Sequence, residues 1–162
     1  SHMKHSILKI TLLLCCLLTV TSARAKDSFA TVKQHPSVES VHINRFMMSV
    51  MRSAVKMSGD KDAINAMRGI KAIDIIECDK RSAIPEVKAR AHKAIETDNY
   101  ELLVETREKD EHVIIYSLSD SKSKNKSLIK DPVIEVSEPG EYCLLIIKGT
   151  IDPTTFNTKK LK

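Results

Sequence analysis

From residue 38 onward, apolar and polar residues alternate in two registers, and each predicts a different kind of element. Val38-Glu39-Ser40-Val41-His42-Ile43 has the loose period of two expected of a first strand. Asn44 follows, and its side chain can accept from an otherwise unpaired first-turn N–H, which marks a helix start. Within that helix Phe46, Met47, Val50, Met51, Ala54 and Val55 recur at the spacing of one apolar stripe, the expected core face. Met48 and Met57 fall off the stripe. Ser58-Gly59-Asp60 ends the helix, and a shorter helical piece is expected over 63–68.

The β-branched run IKAIDIIEC, residues 70–78, predicts a second strand. A helix follows over 82–97, with Pro85 in the first turn, where its missing N–H is tolerated. Its expected core positions are Ile84, Val87, Ala91, Ala94 and Ile95. Beyond Asp98-Asn99 the chain turns β-rich. Tyr100, Leu102 and Val104 alternate with Glu101, Leu103 and Glu105, as in a half-buried antiparallel strand. Lys109-Asp110-Glu111 turns the chain into 112–118, where Ile114, Tyr116 and Leu118 share a face. After a polar loop over 119–131, strands over 133–137 and 141–151 form a hairpin around Glu138-Pro139-Gly140. Asp152-Pro153 opens a short C-terminal helix. The order predicts an α+β domain of two layers, a mainly antiparallel mixed sheet with helices packed on one face.

The N-terminus follows another logic. Ser1-His2 reads as a tag remnant, and residues 3–25 carry the three parts of a secretory signal. These are the positive Lys4 and Lys9, the apolar run ITLLLCCLLTV, and the cleavage triplet Ala23-Arg24-Ala25. The run is too short for the roughly 20 apolar residues that span a bilayer. Cys15 and Cys16 lie inside it rather than at its end, which argues against lipoprotein processing. Cleavage after Ala25 leaves residues 26–37 as a flexible leader and 38–162 as one domain, periplasmic or secreted and without a transmembrane segment. The signal holds Lys4, Lys9 and Arg24 and no acid, so its loss lowers the formal charge from +5 to +2. That removes the main argument for a nucleic-acid partner.

Four stretches, the exported N-terminus, VESVHINRFMMSVMR, NYELLVETREKDEHVIIYSLSD and DPVIEVSEPGEYCLLIIKGTID, resemble the exported Bacteroidetes proteins grouped as domain of unknown function 4252. The likeness spans nearly all of the mature chain, including Tyr100 to Leu103 and the closing Gly149 to Asp152. It implies an exported α+β domain with no assigned activity and no functional residues to carry over. The basic loop over 119–131 is longer than the turn usual in that family.

Candidate chemistry is thin. The segment RFMMSVMRSAVKM holds four of the six methionines. Met47 with Met51 and Met48 with Met51 have spacings at which thioethers could converge on Cu(I), but the stripe makes core packing the stronger reading. His35, His42, His92 and His112 are scattered over separate elements without zinc-motif spacing, which predicts solvated histidines and no metal. Cys78 and Cys143 could form a disulfide in an oxidising compartment, or one of them could serve a small envelope hydrolase or thiol enzyme. No glycine loop of the phosphate-binding kind is present, so no cofactor is expected. Lys122, Lys124, Lys126 and Lys130 could meet an anionic glycolipid or acidic partner, although a solvated loop is the simpler account. Leu144, Leu145, Ile146 and Ile147 point apolar side chains to both faces of one strand, which marks either an interaction surface or a central strand covered on both sides. With Met48 and Met57 they are the expected contact residues. The leading expectation is a non-enzymatic domain that binds another envelope protein, with homo-oligomers also open.

Overall fold

The computed structural model describes residues 27–118 and 128–155. In chain order the elements are α1 (Ala30–Lys33), β1 (Glu39–Ile43), α2 (Arg45–Ser58), α3 (Lys61–Met67), β2 (Ile70–Cys78) and α4 (Ile84–Thr97). Then come β3 (Tyr100–Glu108), β4 (Glu111–Leu118), β5 (Ile129–Lys130), β6 (Val133–Glu138), β7 (Glu141–Ile151) and a 3-10 turn, Pro153–Thr155. The strands form one sheet in the order β1-β2-β7-β6-β4-β3, with β5 added to β7. Every pairing among the described residues is antiparallel. The α+β class expected from the sequence holds, with no parallel pair in it.

The last strand is the central one. β7 is bonded along β2 on one side and β6 on the other, so Leu144, Ile146 and Ile147 are buried and Leu145 is half-buried. These four do not form an interaction surface; the covered-strand alternative is correct. Alternation places Tyr142, Leu144 and Ile146 beside Cys78, Ile76 and Asp74 on one face. There α4 supplies Val87, Ala91, Ala94 and Ile95, and the sequence positions all meet the core as expected. Two alanines at the contact let the helix lie close to the sheet.

Residues 27–37, expected as a leader, instead contribute to this core. The single turn of α1 buries Val32 and the preceding Phe29, and Phe29 meets Tyr100 edge-on at 6.2 Å. Four residues are too few for periodicity to reveal an element.

Two local signals in the sequence are obeyed. Asn44 caps α2 by accepting from Met47 N at 3.0 Å, and Gly59 ends it with a left-handed φ of 74°. At the register shift where β2 begins, Gly149 has φ 126°. A Cβ there would lie 2.1 Å from Gly69 O, and one on Gly69 would lie 2.1 Å from Thr150 O. The backbones touch because both residues lack a side chain.

Candidate interaction surface

The helix α2 is seated on the side opposite to that expected. Met48, which departed from the predicted stripe, is fully buried, and Arg52 and Val55 beside it are half-buried. Arg52 Nη1 donates to Ile70 O at 2.7 Å and so ties the helix to the start of β2. Apart from Val55 the stripe faces solvent: Phe46 is 72 % exposed and Met47, Val50 and Met51 are exposed with it, and Met57, expected off the stripe, is 90 % exposed. Only a narrow edge of the apolar arc touches the protein. Burying Met48 also removes the third thioether within one turn that a Cu(I) site around Met47 and Met51 would need. Of the expected contact residues, Met57 is on the surface and Met48 is not.

The helix is also charged with one sign. Between Arg45 and Ser58 it carries Arg45, Arg52 and Lys56 and no acid. Arg52 and Lys56 line a cleft against α3 together with Ile64 and Arg68.

At the far edge of the sheet β3 presents the complementary surface. It is exposed on both faces apart from Tyr100, so the half-buried strand expected from its alternation is an edge strand with nothing over it. A bulge lies between Leu102 and Val104, and Leu102, Leu103 and Val104 are all exposed. Glu101, Glu105, Glu108, Asp110 and Glu111 surround them, against only Arg107 and Lys109.

The most buried polar group is one that sequence reasoning missed. Glu135 on β6 is wholly inaccessible. Its Oε2 accepts from Tyr142 OH at 2.8 Å and meets His92 Nε2 from α4 at 2.7 Å, while Oε1 has no partner. Burial, then the carboxylate itself, pushes the Tyr142 phenol far above its ordinary value, and the same causes bring Tyr116 to about 12. An ionised tyrosine beside a buried carboxylate is doubly unfavourable, so the phenol stays a donor. The available signal was the spacing Val133-x-Glu135, which puts an acid on a core face.

All four described histidines face carboxylates rather than solvent alone. Besides His92, His35 lies 3.3 Å from Glu86, His112 2.8 Å from Glu105, and His42 binds Asp74. His35 is buried, so the expectation of solvated histidines fails there. Asp74 also holds Lys33 at 2.9 Å, and Lys33 reaches Asp27 at 2.7 Å. Burial of Asp74 opposes its charge, but hydrogen bonds from Lys33 and His42 prevail and hold it below the usual carboxylate value. Burial likewise opposes the Lys33 charge, and Asp27 and Asp74 more than offset it.

The cysteines do not pair. Cys78 lies opposite Tyr142, and Cys143 opposite Glu77, on neighbouring strands. Alternation sends the two thiols to opposite faces of the sheet, and both are free. Cys78 is buried, and its thiol lies 3.9 Å from Lys80 O. Burial, with Glu77 and Glu141, raises the Cys143 thiol, the reverse of thiolate activation. Lys122, Lys124 and Lys126 lie outside the described residues, while Lys130 sits in β5 against Thr150. No described helix is long and apolar enough to cross a membrane.

An α+β domain with an antiparallel sheet, an exposed helix face and exposed strands at both edges is the class these features define. A family model described as Domain of unknown function (DUF4252) matches residues 31–158, and the chain belongs to that family. Neither the curated proteins nor the solved structures contain a match to it.

Proposed function

We propose that this chain is an exported envelope domain, not an enzyme, that works by protein contact through the outward face of α2. The observation that carries the reading is the exposure of Phe46, Met47, Val50, Met51 and Met57 along one side of a helix anchored by its other side. Soluble domains seldom leave such a continuous apolar face to water unless another surface covers it for part of the time. Export is supported by the signal-like pattern over residues 3–25. A thiol enzyme is disfavoured by the burial of Cys78 and the raised Cys143 thiol.

The test is a photo-crosslinking residue placed at position 50 and activated in the native envelope. Discrete adducts that disappear when Phe46 and Met51 are changed to Asp are expected. Adducts unchanged by that pair of substitutions, or none at all, would remove the reading.

A further inference from the structure

We infer that the partner of the α2 face is the β3 edge of a second copy of this chain, so that copies join head to tail. The inference rests on the contact reading above and adds the identity of the partner. Two needs go unmet in one molecule. An amphipathic helix has most of its apolar arc in water, and a nine-residue edge strand has free hydrogen-bonding groups with Leu102, Leu103 and Val104 exposed. Native sheets commonly protect such an edge by laying a helix or loop over it. Here the helix lies beside the β1 edge and cannot reach the β3 edge of its own chain. α2 follows β1 and packs by β2, at one end of the strand order, and β3 closes the other end.

Charge selects the pairing. Arg45 and Lys56 are exposed beside the α2 face without an acid, while Arg52 is tied inward to Ile70 O, so two copies of α2 brought together would place cations near cations. The surroundings of β3 are mainly acidic, with Glu101 and Glu108 on either side of the bulge and Arg107 and Lys109 among them. α2 is bordered only by positive charge and β3 mainly by negative charge, which favours the mixed contact over both like-with-like contacts. Because the two surfaces differ, the contact is heterologous. Each added copy leaves one helix and one edge free, so the assembly grows until a ring closes or a filament extends.

Complementation tests this directly by sedimentation velocity on the purified full chain. Phe46→Asp with Val50→Asp blocks the helix end, and Leu102→Lys with Val104→Lys blocks the edge end. All four side chains are exposed, and circular dichroism of each variant confirms that the fold is kept. Wild type is expected to grow beyond a dimer with concentration and to dissociate as salt rises to about 0.5 M, where charges are screened within roughly 4 Å. Each variant alone should stay monomeric. Their equimolar mixture should form a 1:1 dimer and stop, because one member keeps a working edge and the other a working helix.

A mixture that stays monomeric while wild type assembles would show a like-with-like contact and overturn the inference. A wild type that is monomeric at all concentrations overturns it as well. If position-50 adducts in the envelope persist in that case, the contact reading survives with a different partner. Co-sedimentation with vesicles containing phosphatidylglycerol, abolished by the helix variant and unaffected by the edge variant, would assign α2 to an anionic lipid surface instead.

Discussion

Helices α2 and α4 are each fourteen residues long, both amphipathic and both attached to the same sheet, yet α4 buries Val87, Ala91, Ala94 and Ile95 while α2 buries Met48 alone. The difference lies in what covers the apolar face. In α4 the stripe meets the face of β2, β6 and β7; in α2 only its edge meets the protein. Amphipathicity tells which side of a helix seeks a partner, and says nothing about whether that partner belongs to the same molecule.

The sharpest way to break the contrast is to place a charge on each stripe. Val87→Asp puts an unpaired carboxylate into the core and should cost more than about 4 kcal/mol in urea unfolding, whereas Val50→Asp should change stability by no more than about 0.5 kcal/mol. Equal losses would mean that α2 is packed as tightly as α4. The methionines divide the same helix in two. Met48→Ala should cost about 2–5 kcal/mol and Met51→Ala a few tenths at most; a reversal would show that α2 sits on its other side.

Beneath α4 the comparison takes a polar form. Tyr142→Phe removes a donor from Glu135, whose second oxygen already lacks one, and should destabilise the domain by about 1–3 kcal/mol. A neutral result would show that His92 alone satisfies the carboxylate. The smallest effect belongs to the Lys33–Asp74 pair under α1. Asp74 titrates below 3.8 in the folded protein, so its contribution is complete above that pH and is lost as pH falls further. Lys33 titrates above 10.5, so its contribution is complete below that pH and is lost as pH rises past it. Lys33→Met should therefore lower the neutral plateau of the stability–pH profile slightly and flatten both limbs, because the pair contributes only between them. Unchanged limbs would show that the pair contributes nothing.

How much of this was legible in the sequence depends on how local each cause is. The β-branched run of β2, the stripe and first-turn proline of α4, and the Asn44 cap all act over a few residues and were read directly. The seating of α2 was not legible, because Met48 and Met51 are equally apolar and the choice between them rests with the sheet. Glu135 and His92 are 43 positions apart, and nothing nearby announces their meeting. The thiols of Cys78 and Cys143 could be judged only after strand register set them on opposite faces. Likewise Tyr100, Leu102 and Val104 show the alternation of a covered strand, and only the strand order reveals that β3 lies at an edge.

The position of β7 governs when the molecule can form. Among the described residues the hairpin of β1 and β2 and the unit of β3, β4 and β6 have no direct strand pairing; within the sheet they join through β7, which follows both in the chain. Ile76 must wait for Leu144, and Val133 for Ile146, before either half acquires its core. Such distant pairings make folding slow and all-or-none. A nascent chain of this design stays open until β7 has emerged.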